Sequence, residues 1–316
     1  MTMSMNRRGL WLVEAILAHA AERRVVLHLI EGGGRFLDCG IEAPGGLLAG
    51  VELARVCLGD LAAVDIVPGD VGGIPVPCVQ VMTDHPVQAC LGAQYAGWAV
   101  SHGKFFAMGS GPMRAVRGRE PIYDVIGFRE SETSVVGVLE TRKPASPEVF
   151  ALVAEECRVS PASVTLLTAP TASLAGGVQV VARSVETALH KLAELKFDLS
   201  RIQSAYGLAP LPPVAKDDLA AIGRTNDAVL YGARVVLFIT GDDESLAQVG
   251  PQVPSSSSRD HGEPFASIFA RYNHDFYAVD PLLFSPAEVV FQNLQTGRSH
   301  RFGRLDPEVL ARSFWA

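Results

Sequence analysis

Short apolar runs rich in β-branched residues alternate along this chain with longer stretches of helical periodicity, and that alternation constrains the fold most. Residues 8–23 predict a helix, 25–30 a strand, Gly32-Gly33-Gly34 a turn and 35–39 the returning strand of a hairpin. Gly45-Gly46 leads into a predicted helix over 47–57, followed by a passage punctuated by Gly69, Gly72, Gly73, Pro75 and Pro77. A strand over 76–82 then runs into Thr83-Asp84-His85-Pro86, and Pro86 suits the first turn of a helix over 87–95. Further strands are predicted at 105–108 and 134–139, a helix at 147–156 and a strand at 164–167. A helix over 178–195, strands at 228–231 and 235–239, and an exposed polar loop over 255–258 complete the reading. Alternation without a short internal repeat gives the α/β class, with α+β as the alternative.

At 316 residues the chain can bury two separate cores. Around 141–147 the composition turns to Lys, Pro and Ser, which predicts a linker and two domains, 1–143 and 144–316, the second carrying the helix over 178–195. The formal net charge of −7 argues against a general nucleic-acid binder, which needs a basic surface. Cys39, Cys57, Cys78, Cys90 and Cys157 are odd in number and form no CxxC pair, so they predict buried thiols in a reducing, cytoplasmic compartment. The early apolar stretch is broken by Glu14 and His19, unlike a secretory leader. The uncharged stretch over 160–182 holds Pro161, Pro170, Gly176 and Gly177 and many hydroxyls, unlike a membrane span.

At 100° per residue, Gln179, Arg183, Glu186 and His190 fall on one narrow stripe of the predicted helix over 178–195. Val178, Val181, Val185, Leu189 and Leu192 face the other way, toward a core. Spacing alone leaves two readings open. Arg183 and Glu186 are either an ordinary solvated i,i+3 pair, or a covered carboxylate and its cation. In the second case burial raises the affinity of Glu186 for a proton and Arg183 lowers it, which suits general base catalysis on water.

Three other constellations are weaker. Gly109-Ser110-Gly111-Pro112 follows an apolar strand and precedes Arg114, so backbone amides there could approach an anion, although the third glycine of a dinucleotide fingerprint is absent. His85 stands at a strand's end, where α/β folds carry ligand groups. Gly223-Arg224-Thr225-Asn226-Asp227 predicts a loop offering Arg224, Asn226 and Asp227 for hydrogen bonding. No HExxH, GxSxG, P-loop or metal-ligand cluster is present in the sequence.

Taken together, these segments resemble the methenyltetrahydromethanopterin cyclohydrolase family. The resemblance is carried by Asp38-Cys39-Gly40, the run from Gln88 to Trp98, the run from Phe105 to Pro112 and the run from Ala169 to Gly176. It extends through Val181-Ala182-Arg183-Ser184-Val185-Glu186, Gly223 to Ala228, Pro264-Phe265 and Asp275-Phe276-Tyr277, in the family's order over nearly the whole chain. It implies two α/β domains with a large cleft between them, in a homo-oligomer, often a trimer, with no metal and no redox cofactor. It implies that Arg183 and Glu186 are the catalytic pair and that the substrate is a pterin one-carbon carrier. Tyr95 resembles the bacterial branch, where the archaeal branch has a Lys, and this implies formaldehyde oxidation in a methylotroph. The implied reaction is reversible hydrolysis of 5,10-methenyl-tetrahydromethanopterin to the 5-formyl form. Substrate contacts are expected from Gly109, Ser110, Gly111, Arg114, His85, Arg224, Asn226 and Asp227. The alternatives are a non-catalytic pterin- or nucleotide-binding protein, and a cyclohydrolase acting on methenyltetrahydrofolate.

Overall fold

The strands are β1 (Val26–Leu29), β2 (Arg35–Asp38), β3 (Ala63–Val71), β4 (Ile74–Thr83), β5 (Trp98–His102) and β6 (Phe105–Ser110). They continue with β7 (Val135–Glu140), β8 (Val164–Ala169), β9 (Ile202–Pro210), β10 (Arg234–Ile239), β11 (Glu288–Asn293) and β12 (Ser299–Gly303). A computed structural model describes residues 4–276 and 278–315. Tyr277, one carrier of the family resemblance, lies outside the described residues. The chain divides into two compact units, one formed by residues up to Ala62 with Gln88–Gln179, the other by Ala63–Val87 with the residues from Val180 onward.

The first unit holds a six-stranded sheet in the order β1-β2-β8-β7-β6-β5. Its centre, β2, β8 and β7, is parallel, and β1, β6 and β5 pair antiparallel at the two sides. All six residues of β8 are buried, as a central strand covered on both faces requires. Alternate side chains divide between two cores. Val135, Leu139 and Leu166 pack with Val149, Phe150 and Val153 of the helix Pro147–Cys157. Val136, Val138 and Leu167 pack with Leu12, Val13 and Ile16 of the helix Met5–Ala18 and with Leu53 and Val56 of the helix Leu47–Cys57. The linker expected near 143 therefore lies inside one unit, between β7 and a helix that share a core.

The second unit holds a six-stranded sheet in the order β12-β11-β10-β9-β4-β3. Only the β10–β11 pairing is parallel, the other neighbours being antiparallel. The Pro/Gly-rich passage is a hairpin, not a loop: β3 and β4 pair from Ala63↔Met82 to Val71↔Ile74. Gly72 (φ 58°) and Gly73 (φ 85°) supply the two positive φ values that a tight two-residue turn needs. The α/β and α+β alternatives thus divide between the units, parallel at the centre of one sheet and mostly antiparallel in the other.

Four local expectations are corrected. Residues 228–231 are not a strand: the helix Asp218–Leu230 runs through the Gly223–Asp227 segment expected as a loop. The 87–95 helix is a π-helix, Val87–Gln94, in which the amide of Tyr95 reaches the carbonyl of Cys90 at 2.8 Å. In the 255–258 segment Ser256 and Ser257 are exposed as expected, whereas Ser255 and Ser258 are buried, Ser255–Ser257 forming a 3-10 turn. The helix over 178–195 is two helices, Leu174–Val181 and Ser184–Glu194.

Candidate active site

The second of these helices is positioned by its apolar residues. Val185, Leu189 and Leu192 are completely buried, and the helix packs on β9 and β10. The break before it falls at Ala182 and Arg183, so the single-stripe arithmetic stops there and Gln179 belongs to the preceding helix. Arg183 takes φ −87°, ψ 7° and stands at the N-cap without a side-chain cap bond. That backbone region is sparsely populated and recurs at active-site residues.

Glu186 occupies the first turn of Ser184–Glu194, where unpaired amides and the helix dipole favour negative charge. Its Oε2 lies 3.8 Å from Nη1 of Arg183. This is an ion-pair separation and longer than a hydrogen bond. Gln179 (2% exposed), Arg183 (8%) and Glu186 (5%) are buried, so a solvated ion-pair face does not describe them. His190 is half-buried, with its Nε2 3.9 Å from Oε1 of Glu194. The pair thus combines a cation held near a carboxylate with exclusion from bulk water.

The Gly109–Arg114 segment lies in the first unit, at the end of β6. Gly111 (φ 90°) donates its amide to the carbonyl of Ala93 at 2.9 Å. Ser110 Oγ sits 3.3 Å from Cys57 Sγ and donates to the carbonyl of Val138 at 3.4 Å. Arg114 is completely buried. Its Nε meets Glu120 Oε1 at 2.8 Å, and its Nη1 donates to the carbonyls of Leu91 (3.3 Å) and Ala93 (3.1 Å). Tyr123 adds a bond from its hydroxyl to the carbonyl of Gly92 at 2.8 Å. These donors satisfy carbonyls at the end of the π-helix, a rare element common at functional sites. In this structure Gly111 and Arg114 therefore hold the π-helix, and the amide expected to meet an anion is engaged internally.

In the second unit, His85 is exposed beyond the end of β4, its amide bonded to Thr83 Oγ1 at 3.0 Å. Arg224 donates from Nε to the carbonyl of Ser313 at 3.2 Å and from Nη1 to that of Pro213 at 3.2 Å. Asn226 Nδ2 donates to the carbonyl of Ile222 at 2.9 Å. Asp227 accepts the amide of Phe265 at 2.8 Å, fixing the start of the helix Phe265–Arg271. Burial pushes its carboxyl up to about 7, with the Ser313 hydroxyl and the Phe265 amide opposing the shift. The structure therefore brings Arg183 and Glu186 together and gives Arg224, Asn226 and Asp227 bonds that brace their own unit.

Two buried ionisable groups were missed. Asp38, at the end of β2, accepts the amides of Gly40, Ile41, Glu42 and Ala43 at 2.7–2.9 Å. Burial raises its carboxyl, and the four amides outweigh that and hold it below the usual range. Lys191 is buried on the far half of Ser184–Glu194 and donates to Ser257 Oγ at 3.1 Å and to the carbonyl of Leu282. Burial lowers its ammonium to about 8, opposed by Asp280. An Asp before Cys-Gly signals a turn but not four amides, and Lys191 beside His190 reads as surface. Among the described residues, no group of three or more His, Cys, Asp or Glu is placed to hold a metal ion, and no helix is long and apolar enough to cross a membrane.

The profile of a known family, Cyclohydrolase (MCH), matches residues 4–314. This chain belongs to that family. A methenyltetrahydromethanopterin cyclohydrolase of Rhodopirellula baltica is 50% identical over 293 residues, covering 91% of this chain and 88% of the relative. One from a Methylobacterium species is 47% identical over 316 residues, covering 98% and 97%. An archaeal one, from Methanococcoides burtonii, is 38% identical over 315 residues, covering 99% and 98%. The cyclohydrolase family thus spans the whole described fold, both units included.

Proposed function

We propose that this chain catalyses the reversible hydrolysis of 5,10-methenyl-tetrahydromethanopterin to 5-formyl-tetrahydromethanopterin, with Glu186 as general base and Arg183 as its partner. The observation that carries the residue assignment is the buried Arg183–Glu186 turn, 3.8 Å across, at the start of a helix. Family membership supports the substrate class.

The chemistry suits these groups. The methenyl carbon bridges two nitrogens that share a positive charge, so it is electrophilic without further activation. What it lacks is a positioned water. Glu186 takes a proton from that water as the new C–O bond forms, and its negative charge modestly stabilises the bound cation. Arg183 fixes the carboxylate and keeps it ionised. The hydroxyl of the tetrahedral adduct then loses its proton, one C–N bond breaks, and the departing nitrogen takes up a proton, leaving the N5-formyl group. The balance is one water consumed and one proton released.

Of the expected substrate contacts, Gly111 and Arg114 act in this reading through the π-helix they hold, and Arg224, Asn226 and Asp227 through the bracing of the second unit. The reading also takes the protein to be cytoplasmic and a homo-oligomer, a trimer by the family resemblance, without a prosthetic group. Formaldehyde oxidation is the role that Tyr95 supports.

The test follows loss of the methenyl chromophore with methenyltetrahydromethanopterin and methenyltetrahydrofolate side by side. Turnover of the methanopterin substrate is expected to be the faster by a wide margin. Activity on the folate alone would overturn the substrate, and binding without turnover of either would make the chain a carrier.

A further inference from the structure

The first turn of the catalytic helix is packed closely against β9. Ser184 and Val185, the residues between Arg183 and Glu186, are completely buried. They press on one residue of β9. A Cβ placed on Gly207 would lie 2.4 Å from Ser184 Oγ and 2.7 Å from Val185 Cγ2. Ordinary carbon contacts are about 3.5–4.0 Å, so the helix start rests on the bare backbone of Gly207.

The strand at this contact cannot yield. Gly207 pairs with Val235 of β10 on one side and with Val81 of β4 on the other, which places it in the interior of the second unit's sheet. The Ser184 hydroxyl can rotate away from an added methyl, whereas Val185 is β-branched and stiff at χ1. The first turn of Ser184–Glu194 would therefore have to lift by roughly an ångström to reach ordinary contact. Arg183, at the N-cap, and Glu186, three residues on, would move with it.

We propose that Gly207 is a positioning residue for the hydrolytic reaction: its missing side chain seats the first turn of the catalytic helix on β9 and so sets where Arg183 and Glu186 point. This rests on the assignment of Arg183 and Glu186 made above. Gly207 itself touches no reacting atom. Misplacement of a catalytic group by about 1 Å can cost on the order of 100-fold in rate.

Gly207→Ala is expected to lower kcat about 10- to 100-fold, to leave KM nearly unchanged, and to displace the acid limb of the pH–rate profile. Removing the atom that the new methyl meets is expected to reverse this: Gly207→Ala/Val185→Ala should turn over nearly as fast as Val185→Ala alone. If Gly207→Ala does not fold, Ser184→Thr crowds the same contact from the helix side and carries the same expectation. Wild-type kcat and pH profile in a folded Gly207→Ala protein would overturn the inference. So would a slow variant that Val185→Ala does not recover. A Glu186→Gln background separates the two levels of the argument. There Gly207→Ala should cost clearly less than it does in the wild type, because one of the two groups it misplaces is already gone, and full multiplication of the two effects would refute the positioning role. If Glu186→Gln alone keeps wild-type turnover, the site assignment itself falls. If it is slow while Gly207→Ala is normal, only the role of Gly207 does.

Discussion

Two buried Arg–Glu pairs in this protein invite opposite conclusions. Arg114 and Glu120 are 0% and 8% exposed, and meet at 2.8 Å. The guanidinium also bonds two carbonyls of the π-helix and lies 5.0 Å from the Tyr95 ring centre and 5.4 Å from that of Tyr123. Arg117 approaches the other Glu120 oxygen at 3.7 Å. The bonds that Arg114 makes from Nε and Nη1 hold structure, while its buried Nη2 makes no hydrogen bond. Arg183 and Glu186 are as deeply placed, yet stand 3.8 Å apart on a turn with an unusual backbone conformation and a helix start behind the carboxylate. Burial of a charge pair is thus no mark of function by itself. What distinguishes the second pair is a carboxylate beyond direct hydrogen-bond reach of its own arginine.

The comparison can be broken by mutation. The largest expected effect is that of Glu186→Gln, which should cut kcat by about 10² to 10⁴ with an unchanged melting temperature. Near-normal turnover would make the pair structural after all. Next comes Arg183→Ala, expected to slow turnover by about 10²-fold or more and to move the pH–rate profile, since the carboxylate loses its cation. An unmoved profile would demote Arg183 to a scaffold role. For the first pair the effect should fall on stability. Arg114→Leu removes the hydrogen-bonded partner of buried Glu120 and of two π-helix carbonyls, and should cost about 3–5 kcal/mol in urea unfolding, with kcat per folded molecule changed far less. A loss in kcat as deep as that of Glu186→Gln, at unchanged stability, would erase the distinction.

The smallest expected effect concerns Asp227. Its folded carboxyl is raised to about 7 from 3.8. Between those values the folded state holds a proton that the unfolded state has released, so stability falls as pH rises through that window. Asp227→Asn keeps an acceptor for the Phe265 amide and should flatten this dependence. Urea midpoints measured across the same window check it, and an equally steep slope in the variant would place the titrating group elsewhere.

The first unit was the more legible from sequence. Its strands β7 and β8 are largely apolar, and its helices Leu47–Cys57 and Pro147–Cys157 have clear starts at Gly46 and at Ser146-Pro147. The second unit hid more. β9, with a glycine at 207 and a proline at 210, carries no simple alternation because it is paired on both sides and packed by helices. The Gly223–Asp227 run reads as turn formers, but Thr225 and Asn226 bond back to the carbonyls of Ala221 and Ile222 within a helix held by tertiary contacts. The break at Ala182–Arg183 has no glycine or proline to announce it. Sequence therefore pointed to the Arg183–Glu186 pair as a candidate and concealed the turn on which it sits.

The most direct test of the account is the pH dependence of kcat/KM for methenyl-pterin hydrolysis in wild type and Glu186→Gln, followed by loss of the methenyl absorbance. A base that must be ionised gives the wild-type protein a rate that rises with pH through a single ionisation and then levels. Glu186→Gln is expected to be slow throughout and to lack that rise. A Gln variant that keeps both the rate and the rising limb would contradict the account.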